Sequence, residues 1–170
     1  MNVLRATSQF IIRTRKQHQG CPMEMLARYL HLIGAIAWLG GMTFMLLALR
    51  PVATAQLPPP TRLPLLAGVM ARFFAVAWIS VALLAASGAY MLGVVGMKSA
   101  PIGWHMMMGV GILMFAIFGH LYFGPARRFQ KAVAQANWPQ AGVQMAKIHP
   151  LVVLNFVLGW LAIAAVLFLR

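Results

Sequence analysis

The chain has 170 residues, 62% of them hydrophobic and only 9% charged, with a formal net charge of +13. A soluble domain keeps about a quarter of its residues charged, and the long apolar runs behind this deficit read as membrane spans in one compact bundle. The single acid, Glu24, and the single cysteine, Cys21, exclude paired-carboxylate hydrolysis, all-oxygen calcium or magnesium cages, and an intrachain disulfide or CxxC redox pair.

Residues 1–22 carry Arg5, Arg13, Arg15 and Lys16. Phe10, Ile11 and Ile12 are too few for the apolar region of a signal peptide. This segment reads as a basic interfacial or disordered arm; a second reading takes Met23 or Met25 as the true beginning. Residues 23–170 then form the membrane bundle.

The first span is expected over about 26–49, closed by Arg50-Pro51. About 24 residues at 1.5 Å each give roughly 36 Å, enough to cross with some tilt. Pro58, Pro59, Pro60 and Pro64 follow in a connector expected to interrupt helix. The second span is expected over 71–95 and the third over 101–123, where Gly124-Pro125 is a stop signal. Residues 126–148 are polar and amphipathic, broken at Asn137-Trp138-Pro139, with Asn137 a helix cap. The fourth span is expected over 150–169. The fold class is all-α, a four-helix transmembrane bundle in up-down-up-down order.

The basic residues flank the spans, where they anchor helices and meet anionic headgroups, so the charge points to the lipid bilayer and not to nucleic acid. The N-terminus, the second connection and the C-terminus share one face, side A, with Arg5, Arg13, Arg15, Lys16, Arg28, Lys98 and Arg170. The opposite face, side B, holds Arg50, Arg62, Arg72, Arg127, Arg128, Lys131 and Lys147. The two sets are equal, so the positive-inside rule gives no orientation. A start at Met23 would leave side A with three and make side B cytoplasmic.

Ionisable residues inside a membrane are costly and are the first functional candidates. His18 lies in the leader, while His31 and His105 lie near side A and His120 and His149 near side B. His105 and His120 are about 22 Å apart along one helix and about 60° apart around it, so both could face the bundle interior. His31 and His105 are expected at one depth on spans that are diagonal in such a bundle, which suits bis-histidine ligation between them. Arg28 and Lys98 on side A, with Arg72 and Arg127 on side B, could pair with haem propionates or other anions. The bland alternative makes each histidine an interfacial residue hydrogen-bonded to headgroups or carbonyls, and His149 beside Pro150 fits it best.

Span one presents His31, Gly34, Trp38, Gly41 and Met45 at helical spacing, a face that a helix or a flat cofactor could approach closely. Methionine is abundant, at 13 residues. Met23, Met25, Met91, Met97, Met106, Met107 and Met108 gather at side A, and thioether with imidazole favours Cu(I). Three consecutive methionines point about 100° apart, so they cannot all serve one site.

The stretch LHLIGAIAWLGGMTFMLLALRP, with His31, Trp38, Gly40 and Gly41, resembles the first span of the copper-resistance protein D (CopD) family. WHMMMGVGILMFAIFGHLYFGPARRF, NWPQA and LNFVLGWL are similar to its short bacterial members. The resemblance covers about residues 26–169. It implies a multi-pass bacterial inner-membrane protein of copper uptake or tolerance, with His31 and His120 as the best-matched positions, His105 beside them, and Trp38, Gly40 and Gly41 as packing partners. A more distant resemblance is to HemJ-type protoporphyrinogen oxidases. That pattern expects a lysine in the third span and an asparagine-glutamate pair in the fourth, whereas Asn155 is followed here by Phe156.

The cofactor is thus copper or a b-type haem. In the copper reading the metal positions are His31, His105, His120 and Met108, a periplasmic metal carrier is the partner, and the metal enters at side A through His31 and His105, with His120 an exit ligand or a second site toward side B. In the haem reading His31 and His105 are axial ligands, Arg28 or Lys98 meets the propionates, and the partner is quinone or another redox protein. A third reading is an accessory subunit without a cofactor.

Overall fold

A computed structural model describes residues 22–169. The basic arm up to Cys21, with His18, and Arg170 at the far end lie outside the described residues. Four long helices account for the fold: α1 Pro22–Gln56, α2 Pro59–Val95, α3 Ile102–Ala134 and α4 Trp138–Phe168. All four are long and apolar enough to cross a bilayer, and they run alternately up and down.

The helices run past the expected span ends because the prolines do not stop them. In α1 the chain widens into a π-turn at Met45–Leu49, where the Arg50 N–H donates to the Met45 carbonyl, and then continues through Pro51 to Gln56. In α3 a second π-turn, Tyr122–Ala126, carries Gly124-Pro125 inside the helix. A proline ring clashes with the carbonyl four residues back and cannot donate to it; a wide turn next to the proline relieves that clash. Helix α2 begins on Pro59 and Pro60, where no N–H partner is required. Pro64 and Pro150 each forfeit one bond within their helices. The break between α1 and α2 is therefore only Leu57 and Pro58.

True ends have conventional causes. Gly96 closes α2 with φ +82°, a conformation that side chains resist, and its N–H donates to Leu92 O at 2.9 Å. Asn137 caps α4 by accepting from the Gln140 N–H at 3.1 Å.

Helices α1 and α2 form one tight hairpin, and α3 and α4 the other. Gly34 of α1 lies against Ser80, Leu83 and Leu84 of α2, and Gly41 lies against the ring of Phe73. Gly103 at the start of α3 abuts the carbonyls of Ala165 and Leu169, and its N–H donates to Leu169 O at 2.9 Å. The hairpins meet where Leu39 of α1 packs onto Gly159 of α4. Small residues let membrane helices approach, and packing contacts accumulate along them.

At mid-bundle an aromatic cluster fills the interior. Trp38 stacks on Phe115 at 5.8 Å and meets Phe118 edge-on at 5.7 Å. Phe74, Trp78 and Tyr122 extend the cluster toward side B. Below it the amphipathic end of α3 buries Phe129 and Ala132, and the Gln130 side chain donates to Ala67 O at 2.8 Å.

Candidate functional site

His31 sits in the third turn of α1, opposite Ser87 of α2, with its Nδ1 2.9 Å from Ser87 Oγ. The tautomer follows from the serine. Its hydroxyl has one proton, and that proton goes to the Leu83 carbonyl one turn earlier on α2. Toward the imidazole Ser87 is therefore an acceptor, His31 donates from Nδ1–H, and Nε2 keeps its lone pair. Nε2 is buried and has no hydrogen-bond partner. Leaving such an atom unpaired costs about 1–3 kcal/mol, and an imidazole anchored at one nitrogen with the other free has the form of a metal ligand.

The backbone makes room for this arrangement. Gly88, next to Ser87, leaves space beside the ring: a Cβ there would stand 3.6 Å from His31 Cε1. Gly34, one turn along α1, brings α2 close enough for the histidine–serine contact.

His105 lies in the first turn of α3, half-buried, with Nδ1 3.2 Å from the Pro101 carbonyl. A carbonyl only accepts, so His105 also donates from Nδ1 and keeps Nε2 free. The two histidines share side A but not depth. Ser87, level with His31, lies eight residues before the end of α2, and His105 lies three residues after the start of α3. Across one short connection that places His31 about 7 Å deeper, at 1.5 Å per residue. Among the described residues no group of three or more histidine, cysteine or acidic side chains is assembled for a metal.

The other sequence candidates separate by environment. Trp38 is buried at the centre of the aromatic cluster, and Gly41 receives Phe73. Gly40 has nothing near it and faces outward. Arg28 is exposed, and Met108 is 37% exposed. His120 is exposed on α3 instead of turning inward with His105. Asn155 is buried, donating from Nδ2 to Met114 O at 3.3 Å, while its Oδ1 has no partner.

Two groups escape a reading of the sequence. Ser87 is 56 residues from His31, and only the register of α1 on α2 reveals it. At side B a small cavity of about 40 Å³ opens between α1, α2 and α4, lined by Met45, Met70, Met145, His149, Arg50 and apolar side chains. Neither His31 nor His105 lines it. A shallower groove of about 410 Å³ runs between α2 and α3 past Trp78, Tyr122, Arg127 and Gln130.

Residues 67–169, more than half of the chain, match the family model described as copper resistance protein D. No curated protein and no solved structure matches the chain.

Proposed function

The chain belongs to the copper resistance protein D family, and from that premise we propose that it is a bacterial inner-membrane protein that binds copper and passes it on for uptake or tolerance. The observation that carries this reading is the free, buried Nε2 of His31, held by the hydrogen bond from its Nδ1 to Ser87. Copper is the cargo here and not a resident cofactor. Imidazole binds it in either oxidation state, and the neutral ring adds no charge that would trap it.

His105, nearer the membrane face, is the first point of contact, and His31, deeper by about five residues, is the next. Met108 on the turn after His105 supplies a soft donor at the entrance. A chain of weak sites lets an ion enter and leave, which suits two single histidines at different depths better than one closed cage. The donor of copper at side A is a soluble metal carrier.

The test is Cu(I) titration of the full-length protein in lipid nanodiscs against a chromophoric chelator. His31→Ala is expected to weaken one bound equivalent at least tenfold, and His105→Ala to slow loading with a smaller change in affinity. Unchanged stoichiometry and affinity in His31→Ala would overturn the assignment. The same samples separate the haem reading: a Soret band that shifts on dithionite reduction and disappears in His31→Ala would assign the histidine to haem instead.

A further inference from the structure

We propose that the side-B cavity is a second, sulfur-rich copper site, in which the thioethers of Met45, Met70 and Met145 bind Cu(I). Its occupant rests on the copper reading above, but its residues and its position are independent of His31. One methionine from each of α1, α2 and α4 lines the same small space, with His149 one turn beyond Met145 on α4. Met70 is buried, and Met45 and Met145 are half-buried. The volume of about 40 Å³ leaves room for an ion with one or a few waters.

Thioethers are soft and uncharged, and they select Cu(I) over harder divalent ions. Arg50 lines the same cavity, and its charge adds to the selection. Coulomb repulsion scales with the charge of the ion, so a divalent cation meets twice the repulsion felt by Cu(I). The repulsion also keeps the site weak, as a site on a path must be. Met45 begins the π-turn of α1, and wide turns of this kind re-aim a side chain relative to a regular helix. Trp38 stands seven residues from His31 and seven from Met45, about 10 Å from each along α1, so the aromatic cluster separates a nitrogen site at side A from a sulfur site at side B.

The experiment loads the full-length protein in nanodiscs with Cu(I) under reducing conditions and combines chelator competition with copper-edge X-ray absorption. In a Met108→Leu background, which removes the entrance thioether, copper is expected to show sulfur scatterers, and the further M45L/M70L/M145L substitution to lose them with at least a tenfold loss of affinity for one equivalent. His31→Ala is expected to keep the sulfur signal. Leucine is close to methionine in volume and tolerated in cores, and Arg50→Gln supplies a check that misfolding cannot imitate: Cu(I) should bind the sulfur site more tightly. Copper bound in that background without sulfur scatterers, or unchanged binding in both the triple variant and Arg50→Gln, would overturn the site. Sulfur-bound copper that persists while His31→Ala changes nothing would sink the His31 reading and leave this one standing.

Discussion

The two ends of the bundle position their proposed donors by different physics. Near side A, His31 is oriented by a directional hydrogen bond from Nδ1 to Ser87, and its free nitrogen is fixed to within the tolerance of that bond. At side B, Met45, Met70 and Met145 are placed only by packing around a cavity, and each has flexible torsions that let sulfur move. The difference is between an aimed ligand and an adaptable one. The first fixes geometry at the cost of a buried polar group; the second would accept a soft ion without leaving a strong hydrogen-bonding atom unsatisfied.

Removing the aim from the first end should have the largest effect. Ser87→Ala deletes the acceptor of the His31 Nδ1–H, so the ring loses both its tautomer preference and its orientation. Loss of such a partner costs about 10–100-fold in metal affinity. Chelator competition should show that loss for the nitrogen-bound equivalent, and sulfur-bound copper should be unchanged. An equal fall at both sites would erase the distinction between the ends.

The next effect concerns the hairpins that hold the ends apart. Gly103→Ala drives a methyl group into the backbone carbonyls of Ala165 and Leu169, neither of which can rotate away. Overpacking of this kind costs about 1–3 kcal/mol, measurable as unfolding in mixed micelles. Gly40→Ala is its control, since nothing lies within 4 Å of the added carbon. Alanine is the better helix former by up to about 1 kcal/mol, so that variant should be as stable as the wild type or slightly more so. If both glycines respond alike, the α3–α4 contact is not what seats the side-A end of α3.

The four crossings were legible because each apolar run exceeds about 18 residues, the length a bilayer core requires. Their ends were not. Pro51, Pro64, Pro125 and Pro150 read as punctuation, yet all four lie within helices, two of them beside π-turns that a local pattern does not announce. His31 was legible as an ionisable residue inside a span, whereas Ser87 was not, because helix register across 56 residues is a tertiary fact. The side-B methionines were visible only as abundance. Met45 lay on the readable face of α1, but Met70 and Met145 join it through the packing of three helices. His120 shows the opposite limit: a 60° offset from His105 allowed it to face inward, and the twist and packing of α3 leave it exposed.

The smallest expected effect lies between the two ends, at Asn155. Its Nδ2 donates to the Met114 carbonyl at 3.3 Å, while Oδ1 is buried without a partner. Asn155→Leu removes the bond, and interhelical bonds of this kind are worth about 0.6 kcal/mol on average in a bilayer. The same substitution also removes the unsatisfied oxygen, which offsets part of that loss. Met114 O is not orphaned, because it remains available to its own helix. Stability should therefore change by less than about 1 kcal/mol, and copper affinity at both ends should stay within a few-fold of the wild type. A shift beyond tenfold at either end would mean that the α3–α4 core couples the nitrogen and sulfur sites, and that the two ends act as one device.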